Sequence, residues 1–183
     1  MTSSNVLYSK EGFIFIKNDK NDYTLSFSMQ NNSIVLSKII DFNLIKLIYD
    51  LNGDIYEKIN INIINENEAI ANLLIKHLFK DLGLPQRFSY VRINKIVEEN
   101  SIKFLSQTIK PEIPEGMPPH AELMPIRNMI CDCRIITPHH IQFTCNIQFE
   151  NSMIIPPVVE KLVGLILFKI FNRVKQFIEN VRV

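Results

Sequence analysis

Tryptophan is absent from the 183 residues, glycine occurs five times, and cysteine three times. No apolar run reaches the ~20 residues needed to span a bilayer, so no membrane partner is expected. The glycines Gly12, Gly53, Gly83, Gly116 and Gly164 stand singly, which excludes a glycine-rich phosphate loop. Neither a nucleophile elbow nor a paired-histidine helix is present. No catalytic residue, cofactor or bound metal is therefore expected, and the chain reads as a non-enzyme. Strong charge is missing too: the formal net charge is +1, with 21% charged residues. Nucleic-acid binding would need a local basic patch rather than an overall field. An odd cysteine count fits reduced thiols better than a disulfide framework. Met1 to Lys10 is polar and lacks a signal-peptide core, which predicts an intracellular protein. The bias toward Asn, Ile and Lys points to an AT-rich genome, such as that of a protist or a large DNA virus. For a viral protein the expected site is the nucleus, viral factory or virion.

What is there is a substantial core: hydrophobic residues make up 46%. The stretch from Glu66 to Phe104 organises the reading. Ile70, Leu73, Leu74, His77, Leu78 and Leu82 recur at three and four residues and predict a helix. Gly83 is its expected left-handed cap and Pro85 its stop. Phe88 to Val97 then reads as a long strand. Upstream, Phe13–Ile16 and Tyr23–Met29 form a hairpin around the Asn18–Asp22 turn. Ile34 to Ile39 reads as a third strand. Asp41 caps a helix through Leu51, and Ile55 to Ile64 is a strand with Ile59, Ile61 and Ile63 on one face. Beyond Val97, Ile102 to Ile109 is a strand and Lys110 to Pro125 a proline-rich loop. Cys131, Cys133 and Ile135 share a face, as do Ile141, Phe143, Cys145, Ile147 and Phe149. That hairpin register sets Cys145 opposite Cys131 or Cys133. Val159 to Val181 is the longest helix, with a broad apolar stripe. The order predicts an α+β fold: a curved antiparallel sheet covered on one face by helices. It reads as a single domain over residues 1–183, with two pseudo-repeated halves, about 1–83 and 84–183, as the variant.

His120-Ala121-Glu122 followed by Cys131-Asp132-Cys133 resembles the zinc-deaminase signature. The spacing differs: one residue separates the cysteines, and Ile130 stands where that family has proline. The competing reading is three small side chains inside a sheet, and it is favoured.

Leu82-Gly83-Leu84-Pro85, Arg87-Phe88, Arg92-Ile93, Val97 and Ile102-Lys103-Phe104 resemble the junction between the halves of TATA-box-binding proteins. Glu122-Leu123-Met124-Pro125 and the helix Glu160 to Ile178 fall where that family has counterparts. The resemblance implies a saddle whose sheet binds double-stranded DNA in the minor groove, acting in transcription initiation. Asn94, Lys95, Val97 and Phe149 would then meet DNA. Lys169, Arg173 and Lys175 on the upper helix would recruit transcription or other protein partners. The sequence departs from that family at Lys95, where it has asparagine, and at Met124, where it has a wedge phenylalanine. Glu98 and Glu99 add charge that repels phosphate.

Two alternatives follow from the same elements. One is a protein-interaction or structural module without DNA binding, using the Pro111–Pro125 loop. The other is an apolar-ligand pocket between a curved sheet and the last helix, as in helix-grip folds. That pocket requires a cavity under Ile166 and Ile170.

Overall fold

The computed structural model describes residues 5–110 and 113–183. Its strands are β1 (Asn5–Lys10), β2 (Phe13–Asp19), β3 (Asp22–Gln30), β4 (Tyr56–Asn65), β5 (Glu68–Ile75), β6 (Arg87–Glu98), β7 (Ser101–Thr108), β8 (Glu122–Leu123), β9 (Ile126–Thr137) and β10 (His140–Phe149). The helices are α1 (Phe42–Asp50) and α2 (Pro157–Asn180). One sheet takes the order β1-β2-β3-β10-β9-β7-β6-β5-β4, antiparallel throughout, with β8 lying parallel to β6. The α+β class and the antiparallel sheet follow the sequence reading. The strands run as one continuous path, without support for the saddle that the family resemblance implied.

Turn chemistry sets most of the hairpins. Glu11 and Gly12 both take positive φ, at 51° and 81°, which is the twist a two-residue hairpin needs. Strand β1, which the sequence reading left as polar N-terminus, pairs through this turn with β2. Asn21, at φ 58°, turns β2 into β3, and its buried side chain donates to the Glu150 and Met153 carbonyls. Asp41 caps α1, accepting from the Asn43 and Leu44 amides at 2.8 and 3.0 Å. The expected strand at Ile34–Ile39 is instead a 3-10 turn over Leu36–Ile39. Its Leu36 side chain is 1% exposed, and its amide donates to the Pro138 carbonyl.

The largest correction falls on the organising stretch. Glu66 to Leu82 is not a helix: Asn65 to Glu68 is a hairpin turn, and β5 runs antiparallel to both β4 and β6. Ala69, Ala71 and Leu73 are buried on one face, and Asn72 and Leu74 on the other. A strand buried on both faces loses its period-two alternation, so its apolar residues also satisfy a helical spacing. Gly83 does take the left-handed conformation, with φ 70°, but it closes only a 3-10 turn at Lys80–Leu82.

Pairing fixes which side chains share a face. From β3 across to β6, one row reads Leu25, Cys145, Cys131, Phe104, Lys95. The next reads Phe27, Phe143, Cys133, Ile102, Val97. This is the face the helices cover. The opposite face of β3 and β10 carries a polar ladder, in which Asn146 and Gln148 donate to the Asp22 carboxylate.

Candidate functional site: the space between the sheet and the two helices

Helix α2 buries one side against the sheet. Val159, Gly164, Phe168, Ile170, Val174 and Ile178 are buried there. Gly164 marks the closest approach. A Cβ at that position would sit 2.7 Å from the Tyr8 Cβ and 3.1 Å from the Phe15 ring. Beneath the helix an aromatic cluster fills the interior. The Phe27 ring lies 5.0 Å from Phe143 and 5.3 Å from Phe171, and Phe13 lies 5.8 Å from Phe168.

The first turn of α2 is anchored by a buried charge. Glu160, 5% exposed, accepts from the Lys17 ammonium and the Tyr23 hydroxyl, each at 2.6 Å. Burial and this carboxylate push the Tyr23 pKa far above the ordinary tyrosine value. The other end is held by Asn31, whose side chain donates to the Ile178 and Val181 carbonyls at 2.6 and 3.0 Å. Between them, fully buried Asn52 donates to the Ile48 and Ile170 carbonyls and so joins the end of α1 to α2.

Tyr49 on α1, Tyr56 on β4 and Cys131 on β9 are half-buried. Burial pushes the Tyr49 and Tyr56 hydroxyls well above their ordinary range, and the Cys145 hydrogen bond, with burial, does the same to the Cys131 thiol. Tyr49 and Tyr56 meet edge to face at 5.0 Å. Met129, Ile147, Leu167 and Phe171, also partly buried, pack against the core. These half-buried groups are therefore apolar apart from two hydroxyls and a thiol. An open groove of about 510 Å³ runs between Leu51 and the stretch from Arg173 on α2 to Val181 just beyond it.

The sequence-derived site residues do not converge. Asn94 and Lys95 point to opposite faces of β6. The Lys95 ammonium lies 6.0 Å over the Phe42 ring, and Val97 is 64% exposed at the rim of the covered face. Phe149 is 9% exposed and packs 6.2 Å from Tyr23, so it is a core ring and not a free wedge. Lys169 and Arg173 both bind the Asp54 carboxylate, and Lys175 donates to the Ser28 carbonyl and Glu179. All three cations are engaged within the fold.

The deaminase-like residues are likewise separated. The His120 ring contacts the Gln86 side chain at 3.0 Å, while Cys133 is buried in the sheet. Among the described residues, no group of three or more metal-donor side chains is placed to hold an ion. Sequence reasoning singled out the cysteine face but missed Tyr49 and Tyr56. The only signal for them was a hydroxyl-bearing aromatic inside each apolar stretch.

The arrangement defines a class of fold: a long antiparallel sheet gripping a C-terminal helix. It is the fold of StAR-related lipid transfer domains. The lipid transfer and protein localization domain of human StarD13 (DLC2) superposes with TM-score 0.70 at 11% identity, covering 99% of this chain and 91% of that one. Human StAR-related lipid transfer protein 5 gives TM-score 0.68 at 11% identity, covering 96% and 86%. A StAR-related lipid transfer protein fragment from Xanthomonas axonopodis gives 0.67 at 9%, covering 95% and 97%. No protein-family model and no curated protein matches the sequence. These likenesses overturn the TATA-box-binding-protein resemblance. With it go double-stranded DNA as partner and the role in transcription initiation, which rested on that resemblance and find no support in the structural likenesses. Among the described residues, no helix is long and apolar enough to cross a membrane.

Proposed function

We propose that the protein binds a lipid-like molecule in the space between its sheet and its two helices, and carries it without chemical change. The observation that carries this reading is the likeness of nearly the whole chain to solved lipid transfer domains, at TM-scores of 0.70 and 0.68. An apolar wall with few polar groups suits a ligand that is mostly hydrocarbon. The Tyr49 and Tyr56 hydroxyls would hold its polar end, as the polar groups among otherwise apolar side chains. The aromatic cluster under α2 restricts the volume and selects a slender ligand. The whole chain acts as one domain around one pocket, inside the cell.

The test is lipid extraction from the purified protein, with mass spectrometry of the extract, followed by transfer of a fluorescent fatty acid from vesicles. Co-purifying lipid, or saturable transfer abolished by the space-filling Cys131→Phe, is expected. No extractable lipid together with no saturable uptake overturns the reading.

A further inference from the structure

We propose that Cys131 and Cys145 form an oxidisable pair, which closes to a disulfide across the β9–β10 hairpin when a small hydroperoxide reaches the partly accessible Cys131. The two residues are direct partners in the register, and their sulfurs are 2.8 Å apart. Directly opposed residues of an antiparallel pair have Cα atoms about 4.5 or 5.5 Å apart. Both values fall within the ~4.4–6.8 Å that a disulfide accepts, so the bond forms without backbone movement. Cys133 has no such partner: it stands opposite Phe143 on one side and Ile102 on the other.

Access distinguishes the two sulfurs. Cys131 keeps accessible surface, while Cys145 and Cys133 are buried. The thiol that meets the oxidant is therefore Cys131. Its sulfur attacks the peroxide O–O bond, giving a sulfenic acid and releasing water, or an alcohol from an organic hydroperoxide. The Cys145 sulfur then displaces the sulfenic hydroxyl, which leaves as water with the Cys145 proton. Two electrons pass from the sulfurs to the peroxide. The Cys145 hydrogen bond, together with burial, keeps the Cys131 thiol protonated at neutral pH, so the reaction is slow. The pair thus records sustained exposure to peroxide. It uses the same space as the proposed lipid but does not require that occupant.

The experiment treats the native full chain, free of added lipid, with hydrogen peroxide and follows intact mass and peptide maps. The expected result is loss of two hydrogens, reversed by dithiothreitol, with one crosslink joining Cys131 and Cys145 and with Cys133 still alkylatable. Cys133→Ser should leave this unchanged. Cys145→Ser should stop at a Cys131 sulfenic acid that dimedone traps. The wild-type map decides alone if that variant does not fold. Three results overturn the proposal: a crosslink through Cys133, a crosslink between two chains, or no crosslink at peroxide levels that oxidise the urea-unfolded chain. Failure of lipid binding leaves these outcomes untouched.

Discussion

The Tyr23 hydroxyl donates to the Glu160 carboxylate at 2.6 Å, and that bond joins strand β3 to the first turn of α2. Lys17 completes the site from β2. Removing the acid by Glu160→Ala strands a hydroxyl and a partly buried ammonium. The expected cost is about 2–4 kcal/mol. Tyr23→Phe keeps the packing and the Lys17 pair and should cost about 1–2 kcal/mol. Urea unfolding of both variants checks the order; equal or negligible losses would show that the contact contributes no stability.

Alkaline pH should weaken the fold. Burial raises the pKa of Tyr49, Tyr56 and Cys133, adds to the raise at Cys131, and leads the causes at Tyr23. A group that holds its proton more tightly when folded contributes stability that is complete below its unfolded pKa. That contribution is lost as pH rises toward the folded value. The ordinary values are 9.0 for the thiols and 10.0 for the tyrosines, so the decline starts near pH 9 and steepens above 10. Denaturation midpoints between pH 8 and 11 check this, and a flat profile would contradict it.

Gly164→Ala sets helix propensity against packing. Alanine gains up to ~1 kcal/mol within a helix. The new methyl, however, meets the Tyr8 Cβ at 2.7 Å, an atom fixed close to the β1 backbone. Overpacking of this kind costs about 1–3 kcal/mol, so a net loss is expected. A lowered thermal midpoint would support it, and a raised one would show that the helix shifts freely.

Asn52 and Asp54 contact α2 from the same turn but should differ in effect. Asn52 is fully buried, and Asn52→Ala orphans the groups it serves, at about 2 kcal/mol. Asp54 is 46% exposed, and its pairs with Lys169 and Arg173 are screened by water. Asp54→Asn should cost within about 1 kcal/mol. The bonds from Arg173 and Lys169 hold the Asp54 carboxyl below the usual range. Its small contribution is present at neutral pH and fades as pH falls below about 4. Denaturant unfolding at pH 7 and pH 3 separates the two residues.

The elements read most faithfully from sequence were those with one wet face. The β9–β10 alternation placed Cys145 opposite its partner, and the pairing with Cys131 is one of the two registers it allowed. The apolar stripe of α2 marked a helix that ends within one residue of the sequence expectation. Strand β5 failed for the opposite reason: with both faces buried, its pattern holds no period to read. The Leu82–Phe104 resemblance rested on a left-handed glycine followed by a long strand, a local geometry that unrelated sheets share. The proposed ligand space was not legible. It depends on how distant elements pack, and Tyr49 and Tyr56 carry no spacing that announces it. The helix-grip alternative named the right layers and had no sequence feature to raise it above the others.

The two ends of α2 are fastened at the two ends of β3: the first turn through Tyr23 and Glu160, and the last through Asn31, which directly follows the strand, and the carbonyls of Ile178 and Val181. A beam pinned at both supports does not swing like a door. Amide hydrogens along α2 should therefore exchange together, with no protection gradient from one end to the other. Cutting either pin, by Glu160→Ala or Asn31→Ala, should turn the strut into a hinged flap that frays from the released end.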